Sequence, residues 1–213
     1  MYLSRLILNP RSRRVQKELS DPYQMHRSIM RAFPDNLDTD EERVLFRVDA
    51  PRGGGPLTLL VQSRSKPDWS WLAQHEGARA YLLDTEEPNP WVKEFAPEFK
   101  PGQVLAFRLR ANPTIKRKGK RLGLYRDEEQ MNWLARKAEQ SGFRLLSVRT
   151  ASEAVLGGVV HTESRKDNLR LLSVQFDGLL QVQEPELLRL AARDGIGSGK
   201  GFGFGLLSLA KPV

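Results

Sequence analysis

Two side chains that can transfer or orient protons lie three residues apart near the start of the chain. Tyr23 and His26 occur in DPYQMHRSIMRAF, where Asp21 is the predicted helix N-cap, Pro22 the first helical residue and Gln24 the third residue of a capping-box pattern. Residues at this spacing are neighbours on a helix surface. The pair therefore lies within the first two turns, where the helix dipole and unpaired N–H groups favour an anion such as a phosphate.

The periodicity of this helix places the pair beside an apolar face, and Pro34 ends the helix. The face predicted to be buried consists of Met25, Ile29, Ala32 and Phe33. Tyr23, His26 and Met30 form an adjoining stripe with His26 at its edge. A half-buried structural histidine would fit the same position, so the pattern alone leaves both interpretations open. The other two histidines, His75 and His161, lack an acid-base neighbour at helical spacing.

A glycine-rich segment near the end of the chain could bind phosphate. Residues 195–210 read GIGSGKGFGFGLLSLA, with six glycines among the first eleven residues. Glycine permits unusual dihedrals and close approach, and the segment also supplies N–H donors, a hydroxyl and a cation at Gly197, Ser198, Gly199 and Lys200. No P-loop is present, because glycine follows Lys200. A helix, not a strand, precedes the segment, and no GxGxxG register is present, because the candidate positions for the third glycine hold Lys200, Phe202, Phe204 and Leu206. A flexible C-terminal turn is the alternative, although the apolar run that follows argues against it.

The overall composition favours a polyanionic partner. The chain has 213 residues, a formal net charge of +8 and a hydrophobic fraction of 39%, and its pI is near 9.9. These values fit a globular protein that binds nucleic acid or an anionic surface. The absence of cysteine excludes disulfides and thiolate chemistry, and the three histidines show no metal-ligand spacing. We therefore expect no metal and no cofactor, and, without a signal peptide or an 18-residue apolar run, a cytoplasmic protein.

The N-terminal half predicts one α+β domain over residues 1–86. Strands are expected at residues 2–8, 44–48, 57–62 and 80–83, with helices over 22–33 and over about ten residues from Pro67. The order strand, helix, strand, strand, helix, strand is the ferredoxin-like pattern, a common scaffold for RNA binding. Residues 87–102, rich in proline and acidic side chains, are predicted to be a linker.

Residues 103–213 repeat this order with one extra hairpin. Strands are expected at 104–109 and 206–210, and several between 143 and 182, with a hairpin turn at Asp177 and Gly178. Helices are expected at 127–141 and 185–193, the first with an apolar face of Met131, Leu134, Ala135 and Ala138. The chain is thus predicted to form tandem ferredoxin-like (RRM-like) domains with antiparallel sheets.

The second half also carries two basic segments. Residues 108–126 contain eight lysines or arginines and no acid, and their turn signals predict an ordered loop. The side chains it would present to phosphates are Lys116, Arg117, Lys118, Lys120 and Arg121. The sequence ESRKDN places Arg165 and Lys166 at a turn that could enter an RNA groove. Solvated surface charge is the alternative explanation for both segments.

Several motifs, taken in order, resemble one protein family. They are DPYQMH at 21–26, FRLRANP at 107–113, QFDGLL at 175–180 and the glycine-rich segment, supported by MYLSRLIL at the start and by QMNWLARK. Together they are similar to the CasE family, the CRISPR RNA-processing endoribonuclease subunit of the type I-E Cascade complex. The resemblance covers essentially the whole chain.

The resemblance implies a metal-independent endoribonuclease that cleaves CRISPR repeat stem-loops in precursor RNA. In this family the ribose 2′-OH attacks the adjacent phosphate and leaves a 2′,3′-cyclic phosphate and a 5′-OH. The family's catalytic histidine and tyrosine fall on His26 and Tyr23, and a further basic residue falls on Arg31, which is expected to stabilise charge. The basic hairpin falls near Arg165 and Lys166.

The resemblance also implies the partners of the protein, and two alternative functions stand beside it. The expected partners are the repeat RNA and the other Cascade subunits, with the product retained, no membrane, and a monomer when free. Cleavage through the 2′-OH needs a base, an acid and charge stabilisation but no metal, and His26 can serve as either acid or base. The alternatives are a non-catalytic RNA-binding module and an enzyme that binds a nucleotide cofactor at the glycine-rich segment, which the missing motif registers disfavour.

Overall fold

A computed structural model describes residues 1–37, 42–50, 55–74, 80–162 and 165–212, with the side chains of 74 and 152–170 outside the description. The chain divides into two compact units. The first comprises Met1–Ala96 with Gly201–Gly203, and the second comprises Pro97–Lys200 with Phe204–Val213.

The first unit is a four-stranded antiparallel sheet with helices. Its elements are β1 (Tyr2–Ile7), α1 (Arg13–Ser20), α2 (Pro22–Met30), β2 (Leu45–Asp49), β3 (Thr58–Ser63), α3 (Trp71–Gln74) and β4 (Trp91–Glu94). The strand order is β2, β3, β1, β4, and every neighbouring pair is antiparallel. This is the ferredoxin-like order predicted from the sequence.

The last strand of this sheet lies later in the chain than expected, and the assignment of residues 80–83 as a strand is wrong. Leu82 makes only an isolated bridge with Leu8. The fourth strand is instead β4, within the segment predicted as a linker, and it pairs with β1 through Tyr2 and Glu94. The dense proline and acidic residues around β4 concealed a four-residue strand whose stability comes from its pairing with a distant partner.

Helix α1 was not predicted, because its many cations resemble a solvated segment. It nevertheless buries Val15 completely and leaves Glu18 only 4% exposed. Arg14 and Glu18 form an ion pair one helical turn apart, a spacing that supports a helix. That pair is the local signal that could have revealed α1.

Helix α2 begins where the sequence predicts. The Asp21 carboxylate accepts a hydrogen bond from the backbone N–H of Tyr23 (3.1 Å), and Pro22 is the first helical residue. The predicted capping-box reciprocity is not formed, because the Asp21 N–H donates to the carbonyl of Lys17. The expected apolar face is confirmed, with Met25 and Ile29 each 1% exposed.

The second unit repeats the ferredoxin-like order. Its elements are β5 (Val104–Ala111), β6 (Thr114–Arg117), β7 (Lys120–Gly123), α4 (Asp127–Gln140), β8 (Phe143–Thr162), β9 (Arg165–Val182), α5 (Pro185–Asp194) and β10 (Leu207–Ala210). The main sheet has the antiparallel order β10, β5, β9, β8, and β6 pairs with β7 as a separate hairpin. The fold is therefore α+β with tandem ferredoxin-like domains, as predicted.

The predicted hairpin turn at Asp177 and Gly178 is wrong, since both residues lie inside β9 opposite Arg149 and Val148. The pairing of β8 with β9 shifts register between Leu145 and Ser147. A Cβ added at Gly178 would lie 2.0 Å from the Ser147 carbonyl oxygen. Glycine is needed here for close backbone approach at an irregular pairing, which is a second reason for glycine inside a strand.

The buried face of α4 is also rotated from the predicted one. Trp133 and Gln130 are 3% and 1% exposed, whereas Ala135 is exposed and Met131 is half-buried. Leu134 and Ala138 are buried as expected. The large indole ring takes the central core position from the smaller alanine.

We expect Gly178→Ala to destabilise the protein by about 2–4 kcal/mol, because the added methyl group collides with backbone that cannot move aside freely. Urea unfolding measures the change. Gly201→Ala is the control, since a Cβ there meets nothing within 4 Å. Equal stability of the two variants would contradict the close approach at Gly178.

Candidate active site

Helix α2 places the two predicted proton-handling side chains on one half-buried stripe. Tyr23 and His26 are both partly exposed, between the buried residues Met25 and Ile29 and the solvent. Their spacing makes them surface neighbours. A ligand that reaches the exposed side of His26 can therefore also contact Tyr23.

The environment of the His26 ring favours the neutral imidazole. The ring stacks on Phe46, with centroids 6.2 Å apart and an interplanar angle of 21°. Its Nδ1 atom is buried and has no hydrogen-bond partner among the residues that the structure describes. Burial lowers the pKa of His26 from its ordinary value of 6.5, because desolvation disfavours the charged form. The ring is thus ready to accept a proton at neutral pH.

Phe46 joins His26 to the glycine-rich segment. Phe46 is 2% exposed, and a Cβ added at Gly203, whose φ is +84°, would lie 3.1 Å from the Phe46 ring. Gly203 belongs to the first unit together with Phe46 and His26. A side chain at this glycine would push on the ring that supports the histidine. Sequence reasoning missed Phe46, since β2 was read only as a strand and the ring contact is tertiary.

Arg31 does not share the His26 stripe. It follows His26 by five residues and retains helical dihedrals as the C-cap of α2, which places it about 140° around the helix axis. Its guanidinium carbon lies over the Trp71 ring, 4.6 Å from the ring centroid. Charge stabilisation by Arg31 at the His26 site remains a prediction.

The glycine-rich segment packs closely against neighbouring side chains. Hypothetical Cβ atoms at Gly197 and Gly199 would each lie 3.0 Å from an aromatic ring, that of Trp133 and of Phe204 respectively. The Ser198 hydroxyl lies 3.3 Å from the Thr114 hydroxyl and donates to the Asn112 carbonyl at 3.5 Å. Lys200 begins a short 3-10 turn, Lys200–Phe202. These contacts give the segment a structural reason for its glycines, and phosphate binding by residues 197–200 remains a prediction.

The predicted basic loop is a β-hairpin made by β6 and β7. Its turn contains Lys118 and Gly119, with positive φ values of 47° and 76°. Lys116 lies opposite Arg121, and Arg117 lies opposite Lys120. All five cations are exposed. Like charges directly opposite each other are unfavourable, and a bound anion relieves this repulsion.

For the remaining candidate residues, the structure describes either the backbone alone or neither backbone nor side chain. Arg165 and Lys166 begin β9 opposite Thr162 and His161, but their side chains, like that of His161, are not among those described. His75 lies outside the described residues. These candidates stay predictions.

No group of three or more histidine, aspartate or glutamate side chains that could hold a metal ion occurs among the described residues. No helix in the described ranges is long and apolar enough to cross a membrane.

The fold and site define a basic protein of tandem ferredoxin-like domains that carries a tyrosine–histidine pair on helix α2. A family model described as CRISPR associated protein matches residues 1–211. The chain therefore belongs to this family of CRISPR-associated proteins.

Two curated relatives match over their whole length. The "CRISPR-associated endoribonuclease Cse3" of Thermus thermophilus is 38% identical, covering 99% of this chain and 100% of the relative. The "CRISPR system Cascade subunit CasE" of Escherichia coli is 30% identical, covering 99% of both chains. The solved structure of Thermus thermophilus Cse3 bound to an RNA representing a pre-cleavage complex is similar with a TM-score of 0.76 and 37% identity, covering 98% of both chains. The resemblance to the CasE family is thus confirmed.

We expect an NMR titration to give His26 a pKa below 6.5, and Phe46→Leu to raise that pKa, because loss of the ring admits water. Since the folded-state pKa lies below the unfolded one, the contribution of His26 to stability is present at pH 7 and is lost as the pH falls below about 6.5. Phe33→Leu, which changes another buried phenylalanine of the same core, is the control. A wild-type pKa at or above 6.5 would show that the ring is not desolvated.

Proposed function

We propose that this protein is an endoribonuclease that cleaves CRISPR repeat stem-loops in precursor RNA by metal-independent attack of the 2′-OH. The observation that carries the proposal is the desolvated, neutral His26 beside Tyr23. Full-length similarity to a protein named as an endoribonuclease supports the same reaction class. The structure of that relative with a pre-cleavage RNA supports RNA as the substrate.

In the proposed reaction, His26 is the general base. Its neutral ring takes the proton of the 2′-OH as the 2′-oxygen bonds to phosphorus, and the bond from phosphorus to the 5′-oxygen breaks. The departing 5′-oxygen takes a proton from solvent water, which leaves a 5′-OH and a 2′,3′-cyclic phosphate. Since Nδ1 is buried, Nε2 is proposed to be the ring nitrogen that takes the proton.

Tyr23 is proposed to position the phosphate. Its phenolic O–H can donate a hydrogen bond to a phosphate oxygen next to the His26 ring. The first turn of α2 offers no free backbone N–H group, because Pro22 has none and those of Tyr23, Gln24 and Met25 donate to the carboxylate and carbonyl of Asp21. Arg31 is proposed to contribute positive charge from its own face of the helix.

The rest of the RNA is proposed to bind to cationic and glycine-rich elements of the second unit. The β6–β7 hairpin supplies five exposed cations. Arg165 and Lys166, at the start of β9, are proposed from the sequence to add two further charges. The segment from Gly197 to Lys200 supplies N–H groups. By analogy with the relative named as a Cascade subunit, the product is proposed to stay bound and to join the other Cascade subunits in the cytoplasm, with the free protein a monomer.

We expect His26→Ala to slow cleavage of the cognate repeat RNA by a factor of about 10² to 10⁴, the usual cost of removing a general acid or base, while RNA binding changes little. Single-turnover cleavage in excess EDTA measures this, with a second substrate that carries one 2′-deoxy nucleotide at the cut site. His75→Ala is the matched histidine control. Cleavage that needs a divalent metal, or that continues on the 2′-deoxy RNA, would overturn the mechanism; binding without any cleavage would indicate a non-catalytic RNA-binding module.

The pH profile separates the two roles open to His26. A general base must be neutral, so the cleavage rate at subsaturating enzyme should fall as the pH drops below the lowered pKa of His26. A rate that instead increases with acidity across this range would assign His26 as the general acid.

We expect charge reversal at Lys118 and at Arg121 to weaken RNA binding about tenfold or more and to reduce the slope of log affinity against log salt by about one per lost phosphate contact. The measurement is a filter-binding titration at several salt concentrations. Arg136→Glu, on the exposed side of α4, is the charge-matched control. If the hairpin variants behaved like the control, the hairpin cations would be solvated surface charge.

A further inference from the structure

Besides the cationic β6–β7 hairpin of the second unit, the protein has a cationic cleft in its first unit. This cleft lies between α1 and α2. It is an open cleft of about 400 Å³, within the size range of ligand pockets. The residues that line it are Arg14, Lys17, Glu18, Gln24, Arg27, Ser28 and Arg31. Four of these side chains are cationic and one is acidic.

The single carboxylate in the cleft is already committed to partners inside the unit. Glu18 is 4% exposed and accepts hydrogen bonds from Arg14 Nε at 2.9 Å, Ser28 Oγ at 2.5 Å and the Tyr81 hydroxyl at 2.6 Å. Burial, with the charge of Glu18, raises the pKa of Tyr81, so its hydroxyl stays protonated as a donor. Glu18 therefore anchors the cleft wall and does not neutralise the cations at its opening.

Two of the arginines are held close together by one indole ring. The guanidinium carbon of Arg14 lies 4.9 Å from the Trp71 ring centroid, and that of Arg31 lies 4.6 Å from it. The two charges are thus less than about 10 Å apart, which is about one Debye length at 0.1 M salt. The contact with the ring restricts both guanidinium groups, and hydrogen bonds to Glu18 and Ser28 restrict Arg14 further. This restriction lowers the entropy cost of binding an anion.

The other two cations stand at the exposed side of the same cleft. Lys17 and Arg27 are exposed, and no ion pair of either side chain is found among the described residues. Arg27 and Arg31 are four residues apart on α2, where like charges destabilise a helix. A bound anion would remove this repulsion.

We propose that this cleft binds a backbone phosphate of the RNA at a nucleotide away from the scissile bond. The proposal rests on the proposed function, because RNA is the polyanion that the protein then encounters. Guanidinium groups suit phosphate through paired N–H donors. Arg27 and Arg31 lie about 100° and 140° around α2 from His26. The cleft also extends to Arg14 and Lys17 on α1, so most of its lining faces away from the His26 ring.

The first test compares two double variants in binding an uncleavable RNA. Lys17→Gln with Arg27→Gln removes two cations from the cleft without touching Arg14 or Arg31. Arg11→Gln with Arg13→Gln removes the same charge from exposed positions at the start of α1 that do not line the cleft. The RNA is the repeat stem-loop with its flanking nucleotides and a 2′-deoxy substitution at the cut site. Circular dichroism confirms that both variants are folded.

We expect the cleft variant to bind this RNA about 3- to 30-fold more weakly than the control variant, with a salt slope lower by about one to two. Equal affinity and equal slope for the two variants would overturn the proposal, and would leave the cleft as a solvated cationic surface or a contact for an acidic protein. The double variant Lys17→Arg with Arg27→Lys keeps both positive charges. Wild-type affinity in this variant would show that the charge of the two side chains determines the binding.

The second test locates the phosphate. A series of RNAs, each with one uncharged methylphosphonate linkage, is bound to the wild type and to the cleft variant. We expect one or two linkages, distinct from the scissile one, whose neutralisation weakens binding by the wild type but not by the cleft variant. A series in which every linkage affects the two proteins equally would overturn the assignment.

The two proposals fail in different ways. If the wild type neither binds nor cleaves the repeat RNA, the proposed function fails and this inference fails with it. If the wild type binds and cleaves but the cleft variant matches its control, the inference alone is wrong.

Discussion

The burial of one face of α2 is the constraint on which the candidate sites depend. Met25 and Ile29 are almost completely removed from water, and this fixes the rotation of the helix about its axis. Once that face is committed to the core, Tyr23 and His26 must lie to one side of it and Gln24, Arg27 and Arg31 to the other. The burial of this one face therefore separates the stripe that holds Tyr23 and His26 from the cationic cleft.

Most of the fold could be predicted because strand order and helix periodicity are local signals. The failures have physical causes in particular residues. The strand Trp91–Glu94 is too short to be recognised without its partner strand Tyr2–Ile7. Asp177 and Gly178 resemble a turn, yet Gly178 is required by the approach of the Ser147 carbonyl from another strand. Local patterns cannot report contacts between residues so far apart in sequence.

The positions of the candidate site residues on α2 were predictable for the same reason, whereas their tertiary contacts were not. The spacing of Tyr23 and His26, together with the Asp21 cap, was enough to place both on one stripe of a helix. The contact of His26 with Phe46, the desolvation of its ring and the sharing of Trp71 by two arginines depend on tertiary packing. Arg31 illustrates the difference, since the family resemblance assigned it to the His26 site while its position, about 140° around the helix from His26, lies on another face.

The membership of Gly201–Gly203 in the first unit has a consequence for dissecting the protein. A folding unit is here not a continuous stretch of sequence, because the chain supplies part of the first unit more than one hundred residues after Ala96. A fragment that stops at Ala96 would leave one side of the Phe46 ring without the backbone that lies against it. The surroundings of His26 are completed only when synthesis has passed Gly203, so the N-terminal half emerges from the ribosome with the candidate site incomplete.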